Sequence, residues 1–248
     1  MHQVIILAGA LACGLEPLSE KAYLYQPAFV IDEVLRLPAE EYVPQPGDIM
    51  LRLDPSRFWR VTHYMALAFD PNGSGIVVPR RDGSLAILEA GPNDTLWVRR
   101  MGLFKHLKGY HDMGRVWIRR RKVPLTECQS RRLMEFAEAV DGKEFALVRL
   151  GGQLTVLRSR GPLRTYFIGK PQGIKENYFC SELVTEACVY AGLMSYEKAR
   201  PCATYPRDLF FGRSLNPFLN ANLEVNCGWH PPARWTCSPV KAAPCGKP

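Results

Sequence analysis

The sequence has no apolar run of the ~20 residues that a bilayer-spanning helix needs. Its longest candidate, Val4–Ala12, falls well short. It also lacks internal repeats and low-complexity blocks, which excludes solenoids and arrays. Only five histidines occur in 248 residues. "CGWH" (Cys227–His230) has no second closely spaced Cys/His pair to complete a zinc site, so neither metal nor cofactor is expected. Basic residues do not gather into a nucleic-acid footprint. The densest run, "RVWIRRRKV" (Arg115–Val123), alternates with apolar residues as a strand with one solvated face would.

What is present describes an ordinary globular chain: 47% hydrophobic and 23% charged residues, enough to bury a core. The net charge of +8 suits an anionic neighbour, such as an acidic cell-wall polymer or anionic lipid. Val4–Ala12 has the length of a signal-peptide apolar region, and Ala10-Leu11-Ala12-Cys13 resembles a lipoprotein processing box. The absence of Lys or Arg before the run counts against export and leaves a buried N-terminal strand as the alternative. Periplasmic, secreted, lipid-anchored and cytoplasmic locations all stay open. Four of the eight cysteines (Cys202, Cys227, Cys237 and Cys245) lie in the last 47 residues, where two disulfides would suit an oxidising compartment.

Turn signals and period-two runs predict five strands: "PQPGDIMLRL", "RVTHYMALAFD", "GSLAILEAGP", "DTLWVRRMGLF" and "GRVWIRRRKV". "DPNGSG" (Asp70–Gly75) reads as a turn. Two helices follow: one capped by Thr126 with Leu133, Phe136, Ala137 and Val140 on one face, the other "CSELVTEACVYAGL", stopped by Gly192. "AFVIDEVLRL" is a short early helix, and 146–176 reads as loops. Strands first and helices later give an α+β domain, an antiparallel sheet or small barrel packed against a few helices. The expected organisation is a leader and short helix over 1–43, a catalytic domain over 44–200 and a Cys/Pro-rich extension over 201–248.

"YFCSELV" places Cys180 at a helix start, where unpaired N–H groups and the helix dipole favour a thiolate. His63, on the predicted strand Arg60–Asp70, shares an apolar face with Val61, Met65, Leu67 and Phe69; a satisfied core histidine is the plain alternative. Glu89 ends the apolar row Leu85, Ile87, and adjacent strands would bring it within reach of His63. Cys180, His63 and Glu89 would then serve as nucleophile, base and orienting acid. Cys188, two helical turns after Cys180, reads as core; Cys128, near another helix start, is the internal decoy.

Taken in order, "PGDIMLRL", "VTHYMALAF", "AILEAGP", "DGKEF" and "NYFCSELVTEACVYAGL" resemble the circularly permuted papain-like cysteine hydrolases of YiiX/YaeF type. These are related to NlpC-type cell-wall peptidases and lecithin–retinol acyltransferases. The resemblance spans roughly residues 44 to 195, with the histidine ahead of the cysteine, as in the permuted order. It implies a permuted papain-like fold, a nucleophile at Cys180, a catalytic histidine at His63, a third polar residue at Glu89 and an auxiliary Tyr178. It implies amide hydrolysis, with cell-wall peptides as a substrate class. A lipid acyltransferase or thioesterase of the same fold, or a non-catalytic binding module, are the alternatives. Tyr64 stands where the family often has a small aliphatic residue.

Overall fold

The computed structural model describes residues 21–27, 39–53, 56–92, 95–153, 165–166 and 169–237. The leader with Cys13, the early helix "AFVIDEVLRL" and Cys245 lie outside the described residues.

An eight-stranded antiparallel sheet forms the centre. In chain order its strands are β1 (Tyr23–Pro27), β2 (Glu40–Glu41), β3 (Ile49–Leu53), β4 (Gly73–Pro79), β5 (Leu85–Ala90), β6 (Val98–Gly102), β7 (Arg115–Arg119) and, far downstream, β10 (Ala233–Thr236). Across the sheet the order is β2-β1-β10-β7-β3-β4-β5-β6. It is an open sheet with β2 and β6 at the edges, not a closed barrel. Helix α1 (Arg57–Met65) lies in the β3–β4 connection and α2 (Leu103–Met113) joins β6 to β7. Helix α3 (Glu127–Val140) follows β7. Two short strands, β8 (Glu144–Phe145) and β9 (Asn177–Tyr178), pair in parallel, with α4 (Leu147–Gln153) between them in sequence. β9 leads directly into α5 (Cys180–Tyr190); short helices α6 (Pro206–Phe211), α7 (Pro217–Asn220) and α8 (Val225–Gly228) precede β10.

Two cores result from strand alternation. Ile49, Leu51, Ile76, Val78 and Leu88 point to α3 and α5, where Leu133, Phe136, Ala137, Val140, Leu183 and Ala187 meet them. Met50, Val77 and Ile87 point the other way, to Leu103, Leu107 and Tyr110 of α2. The four apolar residues expected on one face of α3 are all buried, and Thr126 closes a capping box with Gln129. Gly192 ends α5 at φ 72°, a left-handed turn that only glycine adopts without strain.

The structure corrects several sequence expectations, including the loops at 146–176, where α4 forms. Residues 60–70 do not form a strand: His63 lies in the last turn of α1, and Val61, Met65 and Leu67 are exposed. The strand between β3 and β5 is instead β4, whose Gly73 and Gly75 had read as a turn. The first segment is not only leader and helix, because β1 pairs with β2 and β10 and buries Leu24 and Tyr25. Nor is the end of the chain a separate extension: β10 sits inside the sheet between β1 and β7. Finally, Cys202, Cys227 and Cys237 are free thiols, so the two-disulfide framework is not formed.

Arg119 explains why the late segment belongs to the sheet. It is nearly fully buried on β7 and donates to the Leu209 carbonyl at 2.7 Å, the His230 carbonyl at 2.8 Å and Asn226 Oδ1 at 2.7 Å. Burial among these neutral acceptors pulls its pKa down to about 10. Trp229, also buried, donates from its indole to the Gly47 carbonyl at 2.7 Å. Arg119→Met should cost about 3 kcal/mol or more by leaving three acceptors unpaired. Urea unfolding is the check, with a lowered midpoint and an unchanged m-value expected.

Candidate active site

The site grows from the spacing of β3, β4 and β5. Arg52 pairs across from Gly73, and Gly75 pairs across from Glu89. All four positions face α2, so Arg52 must reach over β4 to meet Glu89. Glycine permits this: a Cβ on Gly73 would stand 2.6 Å from Arg52 Cγ, and one on Gly75 would stand 2.9 Å from Ile87 Cγ2. With the surface cleared, Arg52 Nε donates to Glu89 Oε1 at 2.8 Å. His106 Nε2, from α2, donates to the other oxygen, Oε2, at 2.8 Å. The Arg52 guanidinium also lies over the Tyr110 ring, 4.2 Å from its centroid. Burial alone would raise the Glu89 pKa, but Arg52 and His106 outweigh it and hold the carboxyl below its usual range.

Cys180 is the first residue of α5 and is partly exposed. Its thiol lies beside Ser74, on the α5 face of β4, and within electrostatic range of Arg52 and Glu89. Burial pushes the thiol pKa up, and Ser74 and Arg52 offset this only in part. This upward direction is opposite to the one expected from the helix terminus. The Ser74 hydroxyl is buried and stands next to the sulfur, with which it interacts.

Of the expected residues, Cys180 and Glu89 lie within electrostatic range of each other, and His63 sits in the last turn of α1. The imidazole on Glu89 is that of His106, on α2, which the sequence reading had not singled out. Its signal was the helical spacing of Leu103, His106, Leu107 and Tyr110, all buried on one face of α2. Arg52 and Ser74 were also missed; a charge inside "IMLRL" was the available sign. Tyr178 is a packing and anchoring residue. It is fully buried, donates to the Gly173 carbonyl at 3.0 Å and accepts from Lys175 N–H at 2.6 Å, and its pKa is pushed up to about 12. Cys188 is core, pushed up to about 12 by burial, and Cys128 is exposed on α3.

The head of α5 is fixed by Glu182. Its carboxylate accepts from Phe179 N–H at 3.1 Å, Arg149 Nη2 at 2.7 Å, Lys175 Nζ at 2.5 Å and the Cys202 thiol at 2.7 Å. Against the opposing effect of burial, these donors hold its pKa at about 2. Among the described residues, no group of three or more His, Cys, Asp or Glu side chains could hold a metal ion. Among the same residues, no helix is long and apolar enough to cross a membrane.

No family model matches the chain. No curated protein matches it either. Among solved structures it is similar to the crystal structure of the metalloprotein yiiX from Escherichia coli O157:H7, at 19% sequence identity and a TM-score of 0.43. The match covers 65% of this chain and 79% of that one. That neighbour is of the YiiX type that the sequence motifs resemble. The likeness bears neither on the permuted papain-like assignment nor on residue roles.

Glu182 supplies a pH test. Because its folded pKa lies below the unfolded value, its stabilisation is present above the ordinary carboxylate pKa and is lost as pH falls towards 2. From 4.5 down to about 2 the shift corresponds to about 3 kcal/mol. Asp48, raised to about 6 chiefly by burial, acts in the opposite sense but equally in wild type and variant. Between pH 5 and pH 2 the wild type should lose about 3 kcal/mol more than Glu182→Gln, read from urea midpoints at each pH.

Proposed function

We propose that the chain is a cysteine hydrolase that cleaves amide bonds through an acyl-enzyme on Cys180. The observation that carries this reading is a partly exposed thiol at the first residue of α5, beside a buried hydroxyl and within range of a buried arginine. The first-turn N–H groups of a helix have no acceptor within it, so the head of α5 offers donors for a tetrahedral oxyanion.

The thiol gives its proton to a base, and the resulting thiolate attacks the amide carbon. Collapse of the oxyanion expels the amine, which takes a proton from the base, and water then cleaves the thioester. Arg52 favours the thiolate by charge. Its own position is set by Glu89, which in this mechanism steadies Arg52 and His106 instead of orienting His63. His63 is the proposed base, since α1 belongs to the connection that leaves β3 beyond Arg52 and re-enters β4 next to Ser74. Peptides, including those of an anionic cell wall, are the substrate class that fits a cationic hydrolase.

The second reading is a binding module with an idle site, favoured by the upward shift of the Cys180 thiol and its pairing with Ser74 in place of an imidazole. Intact-mass analysis after incubation with peptide amides and esters separates the two. An acyl adduct on wild type that disappears in Cys180→Ala supports the hydrolase; no adduct on either protein supports the module. Iodoacetamide gives an independent comparison: Cys180 labelling that slows in His63→Ala supports a thiol deprotonated by that base, and labelling unchanged by the substitution supports an idle one.

The base assignment has its own test. His63→Ala should lower kcat/KM about 100- to 10,000-fold, the usual worth of a general base, with little change in stability. His106→Ala should mainly destabilise the fold by stripping Glu89 of a partner. If kcat/KM falls in His106→Ala at matched folding while His63→Ala remains active, the base role of His63 is refuted.

A further inference from the structure

A cavity of about 590 Å³ opens at the end of β3, lined by Leu53, Tyr64, Phe211 and Leu215 together with arginine side chains. Leu53 stands two residues beyond Leu51, whose partner on β4 is Ser74. Leu51 and Leu53 share a face, so the groove begins ~7 Å along the strand from the residue that touches the Cys180 thiol.

The charge in this groove is one-sided. Arg60, Arg115 and Arg207 line it, against a single carboxylate, Asp70, among the described lining residues. Asp70 is already engaged: it accepts from Arg60 and from the Tyr64 hydroxyl, each at 3.3 Å. Arg207, on α6, has its guanidinium 4.6 Å from the centroid of the Phe211 ring, and no carboxylate pairs with it among the described residues. A guanidinium over an aromatic face can still turn N–H donors towards a planar anion. The apolar walls beside it suit an apolar side chain.

From this we infer that the groove binds the free carboxylate end of a short peptide with an apolar terminal side chain. The carboxylate pairs with Arg207, and the peptide's amide lies towards Cys180. Calling that peptide a substrate rests on the hydrolase reading; the charge preference of the groove does not.

The experiment uses Cys180→Ala full-length protein, which binds without turnover, and a matched pair of probes. These are N-acetyl-Leu-Phe with a free carboxylate and the same dipeptide as its C-terminal carboxamide, titrated calorimetrically. The acid should bind at least tenfold more tightly than the amide. Arg207→Gln in the same background, with unchanged melting temperature, should reduce that preference to threefold or less. Arg213→Gln, on the loop after α6 and outside the groove lining, should leave it intact. Equal binding of acid and amide, no saturable binding of either, or an unaltered preference in Arg207→Gln would each overturn the assignment. Acid preference in a protein that forms no acyl adduct would refute the hydrolase and leave the groove standing. An acyl adduct without acid preference would do the reverse.

Discussion

A carboxylate with no exposure to water, Glu89, imposes the constraint around which the middle of this molecule is arranged. An isolated buried charge is untenable in a medium of low dielectric constant, so both oxygens need donors. The chain supplies one from each side: Arg52 from two strands away and His106 from the covering helix. Both distances are 2.8 Å, the length of a charge-assisted bond. The requirement propagates outward. Arg52 can cross β4 only because positions 73 and 75 lack side chains, and the Gly-Ser-Gly sequence leaves Ser74 as the one side chain between them, on the opposite face beside Cys180. A structural need for glycine on one face thus fixes what the thiol meets on the other.

A second set of buried polar groups ties distant parts of the chain together. Asp48, at the turn into β3, accepts from Tyr42 Oη at 3.0 Å and from the main-chain N–H of Arg121, beyond the end of β7, at 2.8 Å. Arg119 performs the complementary task from β7, reaching Leu209, Asn226 and His230. Together they lock the neighbouring strands β3 and β7 to segments from both ends of the described chain. The late segment is therefore part of the sheet's hydrogen-bonding scheme, and β10 completes a layer that the middle of the chain leaves unfinished.

These long-range bonds explain what the sequence disclosed and what it hid. Helices α3 and α5 were legible because their signals are local: a Thr/Gln capping box, an apolar stripe and a terminal glycine. Strands β3, β5, β6 and β7 were legible from alternation. Residues 60–70 misled because their apolar residues fit a period of two, although Val61 and Met65 turn out to be exposed on a helix. β4 was hidden by its glycines, which resemble a turn until the crossing arginine shows their purpose. Cys180 and Glu89 were singled out from residue type and spacing, and the fold sets them within electrostatic range of each other. The imidazole that meets Glu89 was not, because strand register and the position of α2 decide it. No local pattern encodes a contact between residues 89 and 106.

The head of α5 shows how a chemical group can be held steady without being stabilised itself. Burial disfavours the Cys180 thiolate, and Ser74 and Arg52 act against that effect. Two positions further on, Glu182 is charged and strongly held, with donors from Phe179, Arg149, Lys175 and Cys202. Its bonds fix the first turn of the helix from one side, while the Ser181 hydroxyl donates to the Thr204 carbonyl at 2.7 Å from another. Cys180 and its main-chain N–H therefore sit on a rigid frame whose cost is met by neighbours that need not react. A thiol at a buried helix start that stays neutral avoids the penalty of a standing buried anion. If the proposed hydrolysis occurs here, rigidity at the first turn matters more than resting acidity, because donors for an oxyanion must be in place before charge develops.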